Sequence, residues 1–260
     1  SQENPLQPVI YPFDAAGTPG MPHDMAPLGA ENDIFLEGLS PQGDLVWWFR
    51  DVGLFVHRNY QQSGDNIAPL TTLPQFGGRP IYGVNQIVSD DEIYFLSTVF
   101  INNNDRDVIL TNINLAQTNW QRRSGNSGGL TDDQAVSSTK DPLGNLYLLS
   151  ASPSTDQRKI VTTVLKTTSA GDTVWVKRFL GPEGQATTPH MLTYRSDGLL
   201  FVQHYSNDDS YQDIIGPEGD HRYDQKKESI EGAQLQGIQY NALPLGGGQV
   251  LTFRINGNIT

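Results

Sequence analysis

Gly144-Asn145-Leu146-Tyr147-Leu148-Leu149 is the stretch that decides the fold. The Gly-Asn pair supplies the positive φ that a tight hairpin turn needs, and the four bulky residues after it suit a pleated strand. The same hairpin half recurs along the chain. Asn32-Asp33 precedes Ile34-Phe35-Leu36, and Asp90-Asp91-Glu92 precedes Ile93-Tyr94-Phe95-Leu96. Asp197-Gly198 precedes Leu199-Leu200-Phe201-Val202, and Gly246-Gly247-Gly248 comes just before Val250-Leu251-Thr252-Phe253. Counted from Ile34, Ile93, Leu146, Leu199 and Val250, the spacings are 59, 53, 53 and 51 residues.

A shorter strand with a polar start precedes each copy. These strands are His23-Asp24-Met25, Val84-Asn85-Gln86-Ile87, Asp133-Gln134-Ala135-Val136, His190-Met191-Leu192 and Gly237-Ile238-Gln239-Tyr240. A Gly-Asp turn that leads into an aromatic residue follows with looser phase, at Gly43-Asp44, Gly171-Asp172 and Gly219-Asp220. Several strands in each unit of about fifty residues is the pattern of a β-propeller blade, in which neighbouring blades cover the faces a hairpin cannot bury alone. The expectation is an all-β chain, residues 1–260 forming one propeller of five blades, with six as the alternative count. The fifth copy starts near residue 237 with room for two or three strands before Thr260. A closed ring therefore needs a strand from the N-terminal segment 1–20, and Gln7-Pro8-Val9-Ile10-Tyr11-Pro12-Phe13 is the natural clasp.

Composition narrows the function. With 17 Lys+Arg against 29 Asp+Glu, the 260 residues carry a net charge of −12 at pH 7, and the chain has no cysteine. Such a chain repels phosphate backbones, so no nucleic-acid partner is expected. Disulfides, zinc–thiolate sites and thiol nucleophiles are excluded. The longest apolar run, near Leu45-Val46-Trp47-Trp48-Phe49, falls far short of the ~18 residues of a membrane helix, so no membrane insertion is expected. Twenty-six Gly and sixteen Pro imply many turns. The start at Ser1 reads as a mature or excised chain.

In a propeller the polar starts of the innermost strands converge on one funnel. The candidate ligand-binding residues are therefore His23, Asp24, Asn85, Gln86, Asp132, Asp133, His190 and Gln239, with Gln236 beside them. Asn102-Asn103-Asn104-Asp105-Arg106-Asp107 and Asn207-Asp208-Asp209 offer oxygen ligands of the type calcium takes. Both runs read better as solvated turns. No cofactor is otherwise implied, and no metal ligand set is specified. The five histidines are scattered, which does not suggest a zinc site. Trp47, Trp48, Trp120 and Trp175 lie in strand patterns and are expected between blades rather than as sugar-stacking platforms.

Two family resemblances attach to these residues. Val164-Leu165-Lys166-Thr167-Thr168-Ser169-Ala170-Gly171-Asp172-Thr173-Val174-Trp175-Val176-Lys177-Arg178-Phe179 and the segment from Leu36 to Trp47 resemble repeats of secreted bacterial propellers. These are the quinoprotein-like and beta-propeller-repeat families found among cell-surface and type IX secretion cargo proteins. That resemblance implies a secreted or cell-surface bacterial protein. The second resemblance is to five-bladed glycosidases of the arabinanase, xylosidase and levansucrase type. It assigns Asp24 as catalytic base and Asp133 as the orienting acid. The residues before His190 are Thr187-Thr188-Pro189, so Glu183 is the nearest Glu for the general acid.

Together these readings lead to a secreted or cell-surface propeller that acts as a binding or adhesion module. Its expected partner is a glycan or small polar ligand in the central funnel, with other surface proteins as further partners. A five-bladed glycoside hydrolase acting on a polysaccharide is the alternative. A purely structural repeat of a larger surface protein is the second alternative.

Overall fold

Glycine turns at fixed places set the strand boundaries. In the computed structural model, residues 9–10, 23–24, 34–39, 45–49, 53–57, 67–72, 75–88, 92–102, 105–114, 117–124, 132–154, 159–207, 209–226, 238–245 and 249–256 are described, and side-chain surroundings are described only within 75–221. The strands, in chain order, are β1 (Val9–Ile10), β2 (His23–Asp24), β3 (Ile34–Leu39), β4 (Leu45–Phe49), β5 (Gly53–His57), β6 (Ile67–Thr72) and β7 (Gln75–Phe76). Then come β8 (Arg79–Val88), β9 (Glu92–Asn102), β10 (Asp105–Asn114), β11 (Gln117–Ser124), β12 (Gln134–Lys140), β13 (Leu146–Pro153) and β14 (Ile160–Thr167). The last are β15 (Thr173–Phe179), β16 (Thr188–Tyr194), β17 (Leu200–Ser206), β18 (Asp209–Ile215), β19 (His221–Lys226), β20 (Ile238–Leu245) and β21 (Gln249–Asn256). The described residues contain no α-helix; a 3-10 turn at Pro182–Gly184 links β15 to β16.

The chain is all-β and built as a series of antiparallel sheets. The sheets β3-β4-β5-β6, β12-β13-β14-β15 and β16-β17-β18-β19 each run in sequence order, and β7 to β11 form a five-stranded sheet that also follows chain order. β20 and β21 make a hairpin, and β1 pairs with β2 through Val9↔Asp24 and Ile10↔His23. The repeat seen in the sequence maps onto second strands in three places, since Leu146, Leu200 and Val250 lie on β13, β17 and β21, and onto the third strand of the five-stranded sheet at Ile93 on β9. Ile34 differs: it opens β3, the first strand of its own sheet, because β2 pairs back onto β1.

The turns are longer than the two-residue form that Gly144-Asn145 and Asp197-Gly198 suggest. In the segments Asp141 to Asn145, Thr168 to Asp172, Arg195 to Leu199 and Gly216 to Asp220, the first amide donates to the fifth carbonyl at 2.8–3.0 Å. The amide of the fourth residue, always glycine, donates back to the first carbonyl. Only that glycine takes positive φ: Gly144 (+89°), Gly171 (+82°), Gly198 (+85°) and Gly219 (+79°). A type I turn followed by a left-handed glycine accommodates the strand twist, and Asp197 stays at ordinary φ. At the first of these turns the Asp141 carboxylate accepts from the amides of Leu143 (2.9 Å) and Asn145 (2.8 Å), from Asn145 Nδ2 (2.7 Å) and from the Tyr147 hydroxyl (3.0 Å).

Two compact units divide the molecule. The first comprises residues 1–99 and 109–122; the second comprises 100–108 and 123–260. In the first unit, the described core includes Ile81, Tyr94, Phe95, Leu96, Ile109 and Ile113, all 2 % exposed or less. In the second, strand alternation divides the β12–β15 sheet into two faces. Tyr147, Leu149 and Val164 point one way and form a cluster with Leu192, Leu200, Val202 and Ile215 of the β16–β19 sheet, with Trp175 and Phe179 packed beside it. Trp175 also donates from Nε1 to the Pro217 carbonyl at 3.1 Å, so it serves the core between sheets as expected. The opposite face, carrying Ser150, Ser152, Thr163 and Leu165, is where polar groups collect.

Candidate functional site

Register places the polar groups. Ser150 pairs with Thr163, and Thr163 pairs with Arg178, so three adjacent strands align a hydroxyl, a hydroxyl and a guanidinium in one row. Leu165 and Val176 form the next row. Residue 133 lies one step before Gln134, which pairs with Ala151, so Asp133 stands next to Ser152 on the same face. Around these rows lies a cleft of about 210 Å³, whose lining also includes Arg123 and Ser124 from the end of β11, Pro153 and Thr173.

The start of β10 runs beside the entry to β12. Arg106 and Asp132 form a parallel bridge, and the Asp133 amide donates to the Arg106 carbonyl at 2.8 Å. The Arg106 guanidinium clasps both carboxylate oxygens of Asp132 and reaches Gln134 Oε1 at 3.4 Å. These hydrogen bonds, together with the charge of Arg106, hold the Asp132 carboxyl below the usual carboxylate range despite partial burial. One residue further along β10, Asp107 is completely buried. Its Oδ2 is 2.7 Å from Arg123 Nη2, whereas its Oδ1 has no hydrogen-bond partner.

Two carboxyls are therefore out of water with incomplete compensation. Burial pushes Asp133 up, the charges of Asp107 and Asp132 add to that, and the Ser152 hydrogen bond and Arg178 oppose it. Asp107 is pushed up by burial and by Asp105, against Arg123. The hydroxyl of Thr163, 5 % exposed and on the cleft wall, has no partner among the described residues. A buried polar atom left in this state costs about 1–3 kcal/mol.

The raised Asp133 has a consequence for pH. A carboxyl whose folded pKa exceeds its unfolded value binds more protons in the folded state, so stability falls as pH rises through that interval. Asp133→Asn is expected to be more stable than wild type at pH 7 and to show a flatter rise in melting temperature as pH drops from about 7 towards the ordinary carboxylate range near 4. Asp107 contributes a slope of the same sign; Asp132, held low, contributes the opposite sign below that range. Melting curves of both proteins at several pH values check this, and an unchanged slope in Asp133→Asn would count against it.

The residues expected from sequence fare differently. Asp132 and Asp133 come together, joined by Arg106, Asp107, Arg123 and Arg178, which sequence reading did not select. Asp107 belongs to a run read as a solvated turn, yet Asp105–Asn114 is strand β10 and Asp107 is buried in it. Its signal was the apolar Val108-Ile109-Leu110 directly behind it, which marks a strand start as Ala135 and Val136 do behind Asp133. His190, on β16, is half-buried with its ring edge-on to Tyr205 at 5.3 Å. Glu183 is exposed on the 3-10 turn at φ +54° and does not line the cleft. The backbones of His23, Asp24, Asn85, Gln86 and Gln239 lie on β2, β8 and β20, and their side chains are outside the described residues, as is Gln236. Trp47 and Trp48 lie on β4 with side chains likewise outside.

A second cluster involves two of the histidines. Asp213 on β18 lies between His204 Nε2 at 2.6 Å and His221 Nε2 at 2.9 Å, and Phe179 packs on both rings with centroids 6.0 Å apart. No group of three acidic or histidine residues among those described is arranged to hold a metal ion.

No family model matches this sequence, and no curated protein matches it. Among solved structures, the chain is similar to a subtype N11 neuraminidase-like protein of A/flat-faced bat/Peru, with 10 % identity over 72 % of this chain and 50 % of that one, at a TM-score of 0.43. A structure from work on two prolyl endopeptidases shares 10 % identity over 95 % of this chain and 38 % of its own, at 0.49. The Nup133 β-propeller domain of Vanderwaltozyma polyspora shares 9 % identity over 91 % and 78 %, at 0.47. The chain spans about half the length of the neuraminidase-like protein it matches.

Proposed function

We propose that this chain is a five-bladed β-propeller that serves as a binding module for a small polar ligand, held in the cleft on the β12–β15 sheet. The serial antiparallel meanders, repeating about every fifty residues, support the propeller. One observation carries the binding reading: a cleft of about 210 Å³ whose wall holds a buried, unpartnered Thr163 hydroxyl beside the buried carboxyl of Asp133. Convergent polar groups in a concave site, some left without protein partners, are what a ligand would complete. The site differs from the central funnel of the sequence reading, because its walls come from outer as well as inner strands.

A glycoside hydrolase is the second reading, and it draws on one feature. Asp133 and Asp107 are two buried carboxyls, each pushed up, and Asp133 matches the orienting acid of the five-bladed glycosidases. Binding requires less of the site than hydrolysis and is preferred.

Thermal shifts across neutral sugars, sugar acids and polyols test the proposal. A bound ligand should raise the melting temperature of the wild type. Thr163→Val removes the lone hydroxyl at constant shape; without ligand it should be as stable as wild type or up to about 1 kcal/mol more so, because an unsatisfied buried group is gone. With ligand, it should lose most of the shift. A flat response of the wild type to every compound would remove the basis for a binding module.

A further inference from the structure

We propose that the ligand of this cleft is a sugar acid, a single polyhydroxylated ring bearing a carboxylate that Arg178 receives. The inference rests on the binding reading above and adds the chemical class. Arg178 differs from its neighbours. Arg106 is engaged by Asp132, Arg123 by Asp107 and Arg195 by Asp197. Arg178 lines the cleft and is exposed; its charge reaches the Asp133 carboxyl in the same cleft, but it makes no direct ion pair or side-chain hydrogen bond among the described residues. A guanidinium at the mouth with its fork unoccupied matches a carboxylate in two-point geometry.

The rest of the wall has the chemistry of a sugar ring. Behind Arg178 on the same row stand the hydroxyls of Thr163 and Ser150, and Ser150 Oγ lies 3.0 Å from Ser152 Oγ. Hydroxyls that both donate and accept suit a ring whose own substituents do the same. Leu165 and Val176, side by side in the next row, offer an apolar strip for ring C–H groups. The volume, about 210 Å³, is below the roughly 300–1,000 Å³ of drug-sized sites and leaves room for one ring. Charge also counts against a second anionic group. Asp133 lines the same cleft and is buried, so the ligand's negative end belongs at Arg178 and its hydroxyl donors at Asp133.

Calorimetric titration of the full chain with galacturonate and glucuronate, alongside galactose, glucose and acetate, decides the matter. The expected result is at least about tenfold tighter binding of one sugar acid than of its neutral counterpart. Arg178→Gln, a change at an exposed position, should erase that preference, so that the sugar acid binds no more tightly than its neutral counterpart. Arg178→Lys should retain only part of it, and added salt should narrow it. Equal binding of acid and neutral sugar, or a preference unchanged in Arg178→Gln, overturns the class and leaves the cleft a binding site. Acetate binding as tightly as the sugar acid overturns it too, since an anion alone would then suffice. If none of these compounds binds, and the broader thermal-shift panel is also silent, both the class and the binding reading fall.

Discussion

Truncating Tyr147 to alanine is expected to destabilise the protein by about 4 kcal/mol. Tyr147 is fully buried at the centre of the cluster that joins the β12–β15 and β16–β19 sheets. Its ring lies 6.0 Å from those of Trp175 and Tyr194, and the Lys166 ammonium sits 5.5 Å from its centroid. Removing it opens a void that the neighbouring strands, fixed by their ladders, fill poorly. The hydroxyl has a separate role: it donates to Asp141 across the turn, and burial beside that carboxylate raises its pKa. Tyr147→Phe deletes only that bond, and the Asp141 carboxylate keeps its other three donors, so the cost should be about 1 kcal/mol. Urea unfolding followed by circular dichroism measures both. A Tyr147→Ala cost no larger than that of Tyr147→Phe would mean that the cluster does not carry the packing between these sheets.

Gly181→Ala is the second large expected loss, about 3 kcal/mol, and its sign is informative. Gly181 has φ −68° and ψ 178°, values that any residue adopts, so backbone considerations alone predict a gain of about 0.4–1 kcal/mol from the stiffer unfolded chain. Crowding predicts the reverse. A Cβ at this buried glycine would lie 2.8 Å from the Cβ of Ser206 and closer still to its hydroxyl. Ser206 cannot swing aside freely, because it is buried on β17 and donates to the Ala186 carbonyl at 2.9 Å. The double variant Gly181→Ala/Ser206→Gly should recover stability relative to the sum of the single changes, with a coupling of about 1.5 kcal/mol or more. Additive behaviour, or a stabilising Gly181→Ala, would show that the connection between β15 and β16 relaxes away from β17.

How far the sequence could be read follows from the range of each interaction. Gly144, Gly198 and Gly219 announce their turns because a left-handed residue is a local requirement, met within five residues of chain. The turns exceed the two-residue form for a local reason as well: the bond between the first amide and the fifth carbonyl leaves no separate mark in the sequence. Asp133 was legible as a polar residue at a strand start. Arg178 was not, since it sits in a strand whose pattern reads as ordinary exposure, and only pairing with Thr163 puts it on the cleft wall. Asp107 was hidden for a different reason. Its neighbours in the run Asn102 to Asp107 are those of a turn, and its burial depends on Arg123 and on the entry to β12, sixteen or more residues away.

The sequence by itself determined an all-β chain of repeated antiparallel meanders, where most strands begin, and that Trp175 belongs between sheets. Turn glycines and strand alternation act over a few residues, so they are written directly in the chain. Only the tertiary structure decided which carboxyls lose water, that Arg178 stands on the cleft wall, and that the polar groups meet on the face of one sheet. Those outcomes depend on the register of strands and on neighbours brought in from other sheets, and a residue's type does not encode its distance from a partner that lies far along the chain.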